Sequence, residues 1–61
     1  MEGFKYMYVM DFSDSSITEV YLKDEDNKLE ANDLLNKYSF NVNTCSWMFT
    51  TTKIDNIITY Q

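Results

Sequence analysis

Phe4-Lys5-Tyr6-Met7-Tyr8-Val9-Met10-Asp11-Phe12 is the stretch that decides how this chain folds. Successive side chains of an extended strand point to opposite faces, so Phe4, Tyr6, Tyr8, Met10 and Phe12 share one side. The other side carries Lys5, Met7, Val9 and Asp11 and is apolar in its middle as well. A strand apolar on both faces belongs at the centre of a sheet or against a second subunit.

Working outward, Ser13-Asp14-Ser15-Ser16 is a loop by composition and short enough for a hairpin. Ile17 to Lys23 predicts a second strand, with Thr18, Val20 and Leu22 on one face and Ile17, Glu19, Tyr21 and Lys23 on the other. Asp24-Glu25-Asp26-Asn27 predicts a turn. Ala31, Leu34, Leu35 and Tyr38 then recur at helical spacing and form one apolar stripe. Asn27 with Glu30 has the form of a capping box, Asn32 is an alternative cap, and Asp33 suits the first turn. The helix should stop near Tyr38-Ser39. Ser46 to Thr52 predicts a third strand, with Cys45, Trp47, Phe49 and Thr51 on one face. Lys53-Ile54-Asp55-Asn56 offers a turn, and Ile57 to Tyr60 a short last strand.

The expected fold is therefore a single α+β domain over residues 1–61, in the order β-β-α-β-β. It would be a small antiparallel sheet of about four strands with one helix packed on one face. One helix covers only one side of such a sheet. Met7, Val9, Tyr21, Trp47 and Phe49 are too many large side chains for a solvated face, which makes them interface candidates and predicts a homo-oligomer or a protein-binding surface.

Charge is the second constraint. Eight of the ten carboxylates lie between Asp11 and Asp33, opposed there only by Lys23 and Lys28. That stretch carries net −6 (eight against two) of a chain total of −5. Asp14, Glu19, Asp24, Glu25, Asp26, Glu30 and Asp33 are the candidate acidic binding residues, with Tyr21 as an anchor among them.

Composition narrows the chemistry. The chain has no His, so Ser-His and Cys-His pairs are impossible, and a 61-residue fold has little volume for a water-excluding cleft. The expectation is a protein that is not an enzyme. One Cys and no His leave no nitrogen–sulfur metal site, and the acidic turn lacks the ligand spacing and the glycine of a calcium loop. No metal and no cofactor are expected. Five Lys, no Arg and net −5 argue against direct nucleic-acid binding by a monomer. No apolar run approaches the roughly 20 residues that span a bilayer, and the N-terminus lacks signal-peptide features. With its lone Cys45, the chain is expected in the cytoplasm without membrane contact.

Carboxylates spaced along a strand and helix can imitate the phosphate field of DNA and speed docking to a basic groove. In size, charge and strand-rich pattern the chain is similar to the short acidic inhibitors encoded by phages and mobile elements, a class that includes anti-CRISPR proteins and inhibitors of uracil-DNA glycosylase. That resemblance implies a DNA-mimic-like inhibitor, acting in the host cytoplasm by stoichiometric binding to a host protein with a basic surface. The alternative is a homo-oligomeric accessory or regulatory module whose charge maintains solubility, with action on DNA as an oligomer a further option.

Overall fold

A computed structural model describes residues 3–59. Three strands, β1 (Tyr6–Asp11), β2 (Ser16–Tyr21) and β3 (Cys45–Thr50), form one antiparallel sheet in the order β2-β1-β3. A 3-10 helix (Asp24–Lys28) and the helix α1 (Ala31–Lys37) make the crossover from β2 to β3. The strand apolar on both faces is indeed the central one.

β1 and β2 are joined by a hairpin whose turn is held by Asp11. Its carboxylate accepts the Ser13 N–H (2.9 Å) and the Ser13 hydroxyl (2.6 Å), and the Thr44 hydroxyl of the facing strand end at 3.2 Å. These bonds hold the Asp11 carboxyl below its ordinary range, those from Ser13 contributing most.

Register sorts the side chains. Met7 sits opposite Val20 and Phe49, and Val9 opposite Thr18 and Trp47. This is the covered face. Met7, Val9, Leu34 and Leu35 are fully buried, with Val20, Leu22 and Cys45 completing the core and Trp47 and Phe49 half-buried against it. Each fully buried aliphatic contributes about 1.5–3 kcal/mol, so most of the stability of this fold sits between one sheet face and one helix. Met7 and Val9 are thus core residues, a correction to their reading as interface candidates, while Trp47 and Phe49 pack at the edge of the core and stay partly exposed. The cause is polarity. The other face of β1 and β2 holds Tyr6, Tyr8, Tyr21 and Glu19, and a helix laid over it would strand their polar atoms without partners.

The helix has no side-chain cap at its start: Glu30 is the N-cap residue and makes no capping bond, so neither Asn27 nor Asn32 serves. It ends in a Schellman motif. The Phe40 N–H donates to the Leu35 carbonyl at 2.8 Å and the Ser39 N–H to the Asn36 carbonyl at 3.1 Å. Ser39 takes the left-handed position that this ending requires, at φ 65°.

Among the described residues three strands form, not four. Ile57 and Ile58 have no regular structure and stand exposed, and Tyr60 lies outside the described residues. The tail does not turn back along β3 because the Ile54 N–H donates to the Tyr8 hydroxyl at 2.8 Å, which draws the chain across the uncovered face.

Candidate functional site

The acidic residues do not form one patch. Asp14 lies in the hairpin turn before β2, whereas Asp24 follows the far end of that six-residue strand. At about 3.3 Å per residue the strand alone separates them by roughly 20 Å. Glu19 projects from the middle of β2 onto the uncovered face, where Lys53 pairs with it at 3.2 Å. What remains together is the crossover layer, in which Asp24, Glu25, Glu30 and Asp33 are all exposed beside Lys23 and Lys28.

Asp26 is the clearest departure from a surface role. Its side chain is fully buried. Oδ1 accepts from the Lys37 Nζ, and Oδ2 accepts the Tyr38 hydroxyl at 2.7 Å and the Lys23 N–H at 3.0 Å. Burial pushes this carboxyl up, but the three donors together outweigh it and hold the pKa at about 2. The bond to Asp26 raises Lys37 in turn, and the same carboxylate raises Tyr38. Acid and base are each driven further into their charged forms, the opposite of what proton transfer near neutrality needs. The cluster is a clamp between the 3-10 helix and α1. It fixes the turn from which Asp24 and Glu25 project, and Glu25 reaches the same Lys37 at 3.5 Å.

The uncovered face is the second feature. Tyr6, Tyr8 and Met10 run down its centre, opposite Tyr21, Glu19 and Ile17 on β2 and Thr50, Met48 and Ser46 on β3. The Tyr6 ring stacks on Tyr8 with centroids 6.2 Å apart and meets Tyr21 edge-on at 5.5 Å. Met10, Ile17, Tyr21 and Met48 are 41, 71, 66 and 48% exposed. Of the interface candidates read from the sequence, Tyr21 alone lies here. Met10, Ile17 and Met48 escaped that reading, although the alternation that puts Glu19 and Tyr8 on one face carries all three with them.

The tail is pinned over this face by bonds from two adjacent residues, Lys53 and Ile54. The Tyr8 hydroxyl accepts the Ile54 N–H and donates to Glu19 Oε2 at 2.8 Å, and the Lys53 Nζ donates to Glu19 Oε1 at 3.2 Å. Burial raises the Tyr8 pKa. The Tyr8 and then the Lys53 hydrogen bond lower Glu19, and the bond to Glu19 raises Lys53. Between tail and sheet lies a groove of about 400 Å³ whose apolar wall is Met10, Ile17, Met48, Ile54 and Ile57. Among the described residues no three His, Cys, Asp or Glu side chains gather in a metal-sized group. No helix there is long and apolar enough to cross a membrane.

No protein-family model, curated protein or solved structure matches this chain.

Proposed function

We propose that this chain is a small acidic binding protein that acts by stoichiometric docking and performs no chemistry on its partner. The observation that carries this reading is the crossover layer. Asp24, Glu25, Glu30 and Asp33 stand exposed within ten residues on one layer of the fold. The buried Asp26–Lys37–Tyr38 clamp holds the first two in a fixed turn. Preorganised charge loses little entropy on binding and speeds encounter with a surface of opposite sign. The partner class that fits is a protein with a basic surface, such as a host protein directed at nucleic acid. A phage- or mobile-element-encoded inhibitor or modulator working in the host cytoplasm is the setting in which such a chain would be useful. The dispersal of the carboxylates narrows the DNA-mimic idea: only the crossover layer could stand in for a run of phosphates.

Capture from a host lysate by the immobilised chain tests this. The double reversal Asp24→Lys with Glu25→Lys should reduce capture of a basic protein by tenfold or more, while Asp14→Lys at the far end of β2 leaves it near wild type. Capture should also weaken steeply with added salt. Asp26 is left intact because its reversal would break the clamp and the fold together. A folded double variant, checked by circular dichroism, that still captures the same protein at wild-type level would refute the proposal.

A further inference from the structure

The uncovered sheet face has its own chemistry, independent of the acidic layer. We propose that this face is the contact between two copies of the chain, which pack sheet against sheet about a twofold axis with the helices outermost.

Area is the first argument. Met10, Phe12, Ile17, Tyr21, Met48 and Ile57 are between 41 and 86% exposed. Phe12 extends the central row, since its N–H continues the ladder to the Thr44 carbonyl at 2.9 Å. For side chains of this size the six offer on the order of 800 Å². That exceeds the largest apolar patch of a typical monomer, roughly 300–600 Å². It matches the roughly 800 Å² that each partner contributes to a standard interface.

Charge is the second argument, and it selects the occupant. The chain carries net −5, yet the one carboxylate on the sheet itself, Glu19, is paired with Lys53, which leaves Asp55 on the tail as the exposed charge beside the groove. A basic partner finds on this face a single exposed carboxylate, Asp55 on the tail, against four on the crossover layer, and an anionic membrane surface repels the chain as a whole. A second copy meets a mostly apolar surface like its own. Sheets packed directly face to face lie about 10 Å apart, the tail held on Tyr8 adds to that spacing here, and each acidic crossover lies on the far side of its own sheet. The two acidic layers are then separated by more than the roughly 8 Å screening length of physiological salt. Face-to-face pairing therefore joins two acidic chains while keeping their exposed carboxylates apart. Lys53 keeps 64% of its side chain exposed, so its ammonium can stay hydrated at the rim while Glu19 retains the Tyr8 hydroxyl.

Light scattering on the intact chain at about 100 µM should give twice 7.3 kDa. Ile17→Lys with Met48→Lys should return the mass to one chain with an unchanged far-ultraviolet spectrum. Wild-type methionine oxidation by peroxide provides a readout that needs no variant. Met10 and Met48 should oxidise about tenfold more slowly where nine-tenths of the chains are paired than after dilution to monomer. Met7, buried in the core, should be slow in both. A monomeric mass at about 100 µM, or Met10 and Met48 rates independent of concentration, would overturn the proposal. A dimer that survives the double substitution would place the contact at a strand edge and overturn it too. Protection of these methionines only on adding another protein would assign the face to that protein instead.

Discussion

Replacing Asp26 by Asn removes one charge from the most buried polar side chain among the described residues and changes little else in shape. The folded carboxyl titrates at about 2 against an ordinary 3.8. A depressed folded pKa stabilises the fold above the ordinary value, and that stabilisation is lost as pH falls through the folded one. Nearly two units at about 1.4 kcal/mol each give about 2 kcal/mol. This is an upper figure, because Lys37 is 37% exposed and water screens its half of the pair. A domain of this size has roughly 3–9 kcal/mol in total, so the loss is large enough to measure. Urea denaturation of wild type and Asp26→Asn at fixed protein concentration, from pH 7 to pH 2, provides the assay. The gap between them should be about 2 kcal/mol at neutral pH, lose about half its pH-dependent part by pH 3 and most of it by pH 2. Taking the difference cancels the titration of Asp11 and Glu19, which are also lowered. A gap under about 0.5 kcal/mol at pH 7, or one that stays constant down to pH 2, would refute the clamp.

Two further substitutions test other joints. Tyr8→Phe deletes the hydroxyl that pins the tail and should cost about 1 kcal/mol locally; exchange of the Ile54 amide should quicken about fivefold and the Glu19 carboxyl should titrate higher, and an unchanged Ile54 rate would show that the tail is held by something else. Ser39→Gly relieves a left-handed residue in the Schellman ending at the cost of a looser unfolded chain, and should raise stability by about 0.5–1 kcal/mol in thermal denaturation; a loss would mean that the Ser39 side chain contributes more than its backbone strain costs.

The central strand, the hairpin and the helical stripe were legible because each rests on a local period. Alternation from Phe4 to Phe12 predicts a strand apolar on both sides, and β1 lies between β2 and β3. The first strand ran long at both ends, since alternation continues past the last ladder pair, whereas β2 and β3 each begin one residue before and end two residues before the bounds read from the sequence. What local pattern could not supply is contact between distant residues. The fourth strand fails because Tyr8 captures a backbone N–H 46 residues away. Asp26 looked like its acidic neighbours because the side chains that bury and neutralise it, Lys37 and Tyr38, follow eleven and twelve residues later. The side that the helix covers was readable in principle. It follows from where the polar atoms are: Glu19 shares a face with three tyrosines, while Met7, Val9, Val20 and Leu22 carry no hydrogen-bonding group.

The same sorting explains how an acidic chain can carry an apolar face. Had Glu19 stood alone there, its charge would oppose burial of that face by any apolar surface. Lys53 removes that obstacle, and it can do so because the Tyr8 hydroxyl brings the tail to the middle of β2. Asp11 is used in the hairpin and Asp26 in the clamp, and of the carboxylates left exposed four lie on the crossover layer, with Asp14 at the hairpin and Asp55 on the tail. The acidic stretch of the sequence thus divides by structural duty. Asp11 and Asp26 build the fold, Glu19 is neutralised on the apolar face, Asp14 stands exposed at the hairpin, and Asp24, Glu25, Glu30 and Asp33 are exposed on the crossover layer. Separation of the apolar and acidic surfaces onto opposite sides lets a reversal of Asp24 and Glu25 act on capture without touching self-association. Ile17→Lys with Met48→Lys should conversely abolish pairing without touching the acidic layer. Each surface can therefore be tested while the other remains intact.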